Sequence, residues 1–508
     1  MSELTDPPSR AASRWSGAHT RTVCAVLLSV VVIACIALLE ARFIDLEIDE
    51  IRVGETPVTF YRLPDVASAP PVIVAHGFAG SRQMMDQIAV SLARQGFAVA
   101  SLDLPGHGRH DGRLSPDINN LDGTTAQLVR TVEEVASAIA ARDDTVGPVS
   151  FVGHSMATDV VIRASRARED VGGVVAISMY SPAVTATEPR ALLIVSGATE
   201  GHLRGAGLDA VRLVDPLARE GNTVRRDDVI RRTAVAPYVG HLGVLYAPIS
   251  LTEITRWLRE STSTGAPAPL DRSGWVAAVL FAGLVLLAWP AASLVPRRST
   301  TALKPVPRRT FFFCLIVPVP AALLIALMPT FGIAGNAGFG TLGAIFGAWG
   351  LTQIVILHRA GHHAAQPDPA GTLIYLGLSL TFAVALDRYG AAFLPSGARA
   401  LVFIGLLVGT VPLMMADTML VHGASILRRL LARLSFLATL SGAMAIAPTQ
   451  LGLAFTTLPV LVLFFLVYGT IARWIAARRG AGAVAIGKGV MLAWAVAAST
   501  PLFAVASL

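Results

Sequence analysis

The feature that most constrains this chain is a set of apolar runs. They lie near residues 22–39, 275–295, 311–330, 338–357, 370–386, 400–421, 434–449, 456–472 and 486–507. A helix of about 20 apolar residues is long enough to cross a bilayer. Nine such runs predict an integral membrane protein. The seventh and eighth are short, so a re-entrant pair is the alternative there. Charged residues make up only 15% of the chain, where a soluble domain of this length carries about 25%.

Between the first and second runs lies a long stretch, 41–270, of ordinary globular composition. The expected organisation is a basic tail (1–21), a transmembrane helix (22–39), an extramembrane domain (41–270) and a membrane domain of about eight helices (275–508). The first run resembles a signal peptide in its basic flank. The LLEARFID that follows it has no small-x-small cleavage pattern, so an uncleaved anchor is expected.

Orientation follows from Lys and Arg in the short loops. With the N-terminus inside, the inner loops hold fifteen basic residues and the outer loops two, Arg388 and Arg399. The N-terminus is therefore expected in the cytoplasm and the 41–270 domain outside, which is periplasmic in a bacterium with an outer membrane. The Ala-, Arg- and Gly-rich composition fits a bacterial source. The net charge of +7 lies largely in loops beside apolar runs, so no nucleic-acid partner is implied. The three cysteines, Cys24, Cys35 and Cys314, fall inside apolar runs and imply no disulfide framework.

In the 41–270 domain, β-rich runs at 56–63, 71–76, 97–102, 148–152, 171–178, 191–196 and 233–239 alternate with helical patterns at 83–95, 124–142, 156–168 and 249–260. Such alternation predicts a mostly parallel sheet with helices on both faces. Functional residues then gather beyond the carboxyl ends of the strands.

Four polar motifs fall at those ends. PVSFVGHSMATDVVIRA reads strand, sharp turn, helix, and sets Ser155 in the frame Gly153-His154-Ser155-Met156-Ala157. A nucleophile elbow needs that context. The usual final Gly is replaced by Ala157, a departure of one methyl that is tolerable where close packing is the constraint. The bland alternative is a helix-capping serine. A serine nucleophile needs a base oriented by an acid. His241, in YVGHLGVLY, follows the last strand pattern, and Glu200 follows the strand ALLIVS. Asp209 and Asp215 compete with Glu200, and His202 lies too close behind its strand to serve. The oxyanion hole would use the N–H groups of Met156 and of Phe78, in the loop His76-Gly77-Phe78.

Residues 56–260 resemble the α/β-hydrolase superfamily through VIVAHGFAGS, SLDLPGHGR, VGHSMA, LLIVSGATE and GHLGVLY. The resemblance covers about 40% of the chain. It implies an α/β-hydrolase fold and hydrolysis of an ester, thioester or amide through an acyl-enzyme, with Ser155, His241 and Glu200 as the triad and no metal or organic cofactor. In DLPGHG it implies structural roles for Asp103 and His107. Only about eight residues, PAVTATEP, separate the strands where many relatives carry a cap, so the domain looks compact, like dienelactone-hydrolase or acyl-peptidase members. The stretch between Glu200 and His241 is a candidate partial flap.

The expected function is a membrane-bound serine hydrolase acting on a lipid-like or other apolar ester, with the ester and membrane lipids as partners. The alternatives are a transporter or lipid-handling protein with a hydrolase-like accessory domain, a peptidase or thioesterase of the same fold, and a non-catalytic scaffold. Asp417, inside the apolar run LMMADTMLV, is the acid that could serve a transport role. The histidines of HRAGHH (His358, His362, His363) lack cysteine or carboxylate support and read as a solvated loop.

Overall fold

The computed structural model describes residues 10–117, 120–299, 303–329 and 331–505. The start of the basic tail and the last positions of the ninth apolar run lie outside the described residues.

The domain between the first and second long apolar helices is built on nine strands: β1 (Glu47–Val53), β2 (Thr56–Arg62), β3 (Pro71–Ala75), β4 (Ala98–Leu102), β5 (Val149–His154), β6 (Val171–Ile177), β7 (Ala191–Gly197), β8 (Thr223–Arg226) and β9 (Val229–Ala236). Their order is β1-β2-β4-β3-β5-β6-β7-β9-β8. The run from β4 to β9 is parallel throughout, and antiparallel strands close both edges. The central strands read as continuous apolar runs because helices bury both of their faces. Helices Ala126–Ala140 and Met156–Arg166 cover one face; Asp86–Arg94 and Pro248–Thr262 cover the other.

Three elements of this domain escaped the sequence reading. Strand β1, EIDEIRV, and strand β8, TVRR, are charged edge strands with largely exposed side chains. Such charges discourage edge-to-edge pairing, and they erase the apolar pattern that marks a strand. The helix Gly201–Arg212 carries three glycines, which lower helix propensity. The stretch after Glu200 is therefore this helix followed by β8 and β9, which corrects the expectation of a flap.

Among the described residues, nine helices are long and apolar enough to cross a membrane: His19–Ala41, Gly274–Leu294, Arg308–Ala326, Phe339–Arg359, Pro369–Tyr389, Ala398–Val421, Ile426–Ile446, Ala454–Arg479 and Ala481–Ser499. The third is broken before Pro318, where the ring removes a donor and clashes with the preceding turn. The seventh and eighth, Ile426–Ile446 and Ala454–Arg479, are each long enough to cross a bilayer singly, which a re-entrant pair does not require. The seventh begins at Ile426, earlier than its apolar run, because Arg428, Arg429 and Arg433 lie on its first turns. Asp417 has a partner that the sequence reading passed over. Lys488, in the ninth helix, donates to its carboxylate and to Thr418 Oγ1. The ninth helix stops at Ser499. Pro501 then turns the chain into an extended segment, since the residue before a proline is pushed out of the helical region.

The two halves are joined by buried polar contacts. Arg42, just past the helix His19–Ala41, bonds Asp86 at 3.1 Å and Asp271, just before the helix Gly274–Leu294, at 3.4 Å. Tyr61 donates to the same Asp86 at 2.8 Å.

Candidate active site

Strand β5 ends at His154 and a helix starts at Met156, which leaves Ser155 alone to make the turn. Its φ of 53° and ψ of −120° lie in a region that a residue with a Cβ adopts only under strain. The strain is held by the fold. Ser155 N–H donates to the carbonyl of Ile177 at 2.8 Å, and the helix runs back close over the strand. A Cβ on Gly153 would stand 2.6 Å from the Ala157 carbonyl oxygen. Close packing therefore requires glycine at 153. Ala157 itself is fully buried and is accommodated.

Parallel pairing sets the remaining groups around this turn. Ala75 of β3 is in register with Gly153 of β5, so the His76-Gly77-Phe78 loop emerges beside Ser155. A Cβ on Gly77 would lie 2.9 Å from both Ser155 Cβ and His154 Nδ1. Glu200 sits on the turn after β7 and His241 on the turn after β9. Gly197 and Ala236 are in register between those strands, and Thr199 N–H donates to the Val239 carbonyl at 3.2 Å.

His241 Nδ1 lies 2.6 Å from Glu200 Oε1, and His241 Nε2 lies 2.9 Å from Ser155 Oγ. An ionised carboxylate can only accept. Nδ1–H therefore donates to Glu200, and Nε2 is left to accept from the serine hydroxyl. Glu200 Oε2 also accepts from the Gly197 N–H at 2.6 Å and from Ser178 Oγ at 2.8 Å. Burial works to raise the Glu200 carboxyl, but the hydrogen bonds from His241, Gly197 and Ser178 outweigh it and hold the group below its ordinary range. Asp209 is exposed on its helix, and Asp215 accepts from the Leu217 N–H. His202 is exposed at the start of the same helix. None of the three reaches His241.

Two further residues act on this line and were not singled out for it. Ser178, at the end of β6 with φ 55°, anchors Glu200. His154 Nε2–H donates to the His241 carbonyl at 2.9 Å. Burial, aided by the nearby His241, pushes the His154 imidazole down to about 4, so it is neutral near pH 7. Nothing in the sequence marks either role, because each depends on a loop from another strand. His76 is buried and held neutral. Its Nε2 accepts from the Leu104 N–H at 3.1 Å, so its Nδ1–H donates to the Gly77 carbonyl at 2.8 Å. Asp103 accepts from the N–H groups of Arg82 and Arg109, and so shapes the Pro105–Gly108 turn.

A cavity of about 560 Å³ opens at Ser155 and His241, within the roughly 300–1,000 Å³ usual for ligand sites. Apolar side chains line most of it, among them Leu114, Leu128, Val160, Leu203 and Phe503. Asp159 is the acid at its edge, and it accepts from Arg163 at 2.8 Å and Ser181 at 2.6 Å.

A mostly parallel sheet covered on both faces, with a strained serine at the strand-to-helix turn after β5, is the architecture of the α/β-hydrolase fold. Residues 68–228 match the family model described as "Serine aminopeptidase, S33". Among solved structures, a dienelactone hydrolase from Anabaena variabilis is 16% identical, with 44% of this chain and 100% of that chain covered and a TM-score of 0.33. A predicted CIB-like hydrolase from Thermoplasma acidophilum is also 16% identical, with 43% and 96% covered and a TM-score of 0.32. No curated protein matches the chain.

Proposed function

We propose that this chain is a membrane-bound serine hydrolase that cleaves a carboxylic ester carrying an apolar acyl group. The observation that carries this reading is the hydrogen-bonded line from Ser155 through His241 to Glu200, set at the mouth of an apolar cavity. His241 Nε2 takes the hydroxyl proton as Ser155 Oγ attacks the acyl carbonyl. Phe78 and Met156 N–H groups hold the oxyanion; among the described residues neither is engaged by another backbone group across the turn. His241 returns the proton to the leaving alkoxide, and the alcohol departs. Water then attacks the acyl-serine with His241 again as base, which releases the acid and restores the serine.

An ester is favoured over a peptide with a free amino terminus. Such a substrate needs an uncommitted acid to hold its ammonium. Asp159, the carboxylate lining the cavity, is already satisfied by Arg163 and Ser181.

The excess of fifteen basic residues to two across the short loops supports a cytoplasmic N-terminus and a domain on the outer face. Leu217 is 87% exposed on that domain. A Leu217→Cys variant should react with a membrane-impermeant maleimide in intact cells; protection until lysis would reverse the topology.

The decisive test is labelling of the detergent-purified full chain by a fluorophosphonate. The wild type should label and Ser155→Ala should not. Labelling that survives the substitution would remove Ser155 from the mechanism. The paired Lys488 and Asp417 inside the helical half give some support to a second reading, a lipid-handling or transport protein with an accessory hydrolase. Full function in vivo with Ser155→Ala would favour it.

A further inference from the structure

The chain does not end its structural role at the ninth span. After Ser499 it passes through Pro501 and lies along the hydrolase domain. Leu502 N–H donates to the Gly106 carbonyl at 2.9 Å, Leu114 N–H to the Leu502 carbonyl at 2.8 Å, and Ala504 N–H to the Leu114 carbonyl at 2.9 Å. A Cβ on Gly106 would stand 2.6 Å from the Leu502 oxygen, so the two backbones are in close contact. This pairing points Phe503 into the cavity of Ser155, where it is only 7% exposed and packed within the core of the hydrolase domain.

The seating is fixed from the helical half. Arg399, at the start of the sixth span, donates to the carbonyls of Ala497 and Thr500 at 2.8 Å each. It also donates to the carbonyls of Gly106 at 2.8 Å and Gly108 at 3.2 Å. One guanidinium therefore ties the C-terminal segment to the loop it lies on. Ala337 N–H donates to the Phe503 carbonyl at 2.9 Å. Phe455, in the first turn of the eighth span, stacks on Phe78 with centroids 5.8 Å apart and planes 12° apart. Phe78 in turn lies 6.3 Å from Phe503.

We infer that the helical half completes the substrate site: Phe503 is the wall that sets the length of acyl chain accepted at Ser155, and the ester taken is one with an extended, uncharged acyl group. This rests on Ser155 being the nucleophile. Among the described residues, no lysine or arginine lines the cavity to meet a carboxylate or phosphate on the acyl part. Its apolar walls favour each methylene of the acyl chain that they remove from water. Activity therefore rises along a series of acyl chains until the chain meets Phe503.

The test uses the full chain in detergent and a series of p-nitrophenyl esters from acetate to dodecanoate, with fluorophosphonate labelling of every variant as the check on the nucleophile. The wild type should prefer medium or long chains to acetate. Phe503→Trp should lower the ratio of kcat/KM for decanoate over butanoate by about tenfold, and Phe503→Ala should raise it by a similar factor. Phe503→Leu, closer in volume, should shift it the same way as alanine and less, and it serves if alanine fails to label. A ratio unchanged in every variant that labels would overturn the wall. A wild type that prefers acetate would overturn the substrate class. A wild type that neither labels nor hydrolyses any ester would overturn the nucleophile itself, and this inference with it.

Discussion

The ring of His154 holds the backbone of His241: its Nε2–H donates to the His241 carbonyl at 2.9 Å, with the two rings 4.9 Å apart. The residue beside the proposed nucleophile thereby fixes the loop that carries the proposed base. His154 is a positioning residue. His154→Ala should lower kcat about ten- to a hundredfold, as the His241 carbonyl loses its donor and the loop that carries the base loosens, with KM little changed. Steady-state kinetics on a p-nitrophenyl ester separates the two parameters, and an equal loss in a His154→Gln variant able to donate would argue for a role other than this hydrogen bond.

Glu200 accepts from three donors, so an amide in its place must turn at least one N–H toward a donor. Glu200→Gln is expected to cost about 10³- to 10⁴-fold in kcat, since the imidazole loses its orienting charge. Ser178→Ala removes one of the three bonds and should cost about tenfold or less. Asp209→Asn and Asp215→Asn should stay within about twofold of wild type. A large loss at either aspartate, with Glu200→Gln near normal, would reassign the acid.

Gly77 packs against Ser155 so closely that a methyl has no room. Gly77→Ala should displace the loop that carries the Phe78 N–H and lower kcat at least about a hundredfold, with a smaller effect on melting temperature. Rates of fluorophosphonate labelling measure the first and thermal unfolding the second.

Acid should destabilise the domain through its buried histidines. His154 is pushed from 6.5 to about 4 by burial and by His241. The unfolded chain takes up a proton near the ordinary value that the folded chain refuses until far lower. Stability is full above the ordinary histidine range and is lost as pH falls through that window, by roughly 3 kcal/mol from this residue. His76 and His107, both also lowered by burial, act in the same direction. Glu200, held below its ordinary range, adds stability that is lost as pH falls through its lowered value. Thermal unfolding from neutral to acid pH should show a shallower decline in His154→Gln than in the wild type.

Arg399 satisfies four backbone carbonyls from two halves of the molecule. Arg399→Gln leaves most of them without a donor. Stability should fall by about 3 kcal/mol or more, measured as a lowered melting temperature of the whole chain. A variant that melts like the wild type would show that the halves are held together elsewhere.

Local sequence carries information about faces that are buried in a regular way. Nine apolar runs, the alternation of strands with helices, and Ser155, Glu200 and His241 in that order beyond strand ends could all be read from short windows, because burial of both faces of β5 or of a bilayer-length helix leaves a pattern in adjacent residues. Strands β1 and β8 and the helix after Glu200 left no such pattern, since charged edges and glycines suppress it. The tertiary structure alone decided which loops meet. Parallel register brought His241 to Ser155 across the sheet, set Ser178 beneath Glu200 and His154 beneath His241, and drew Phe503 from beyond the last helix into the cavity. Those relationships depend on the packing of residues far apart in the chain, and no window of neighbouring residues encodes them.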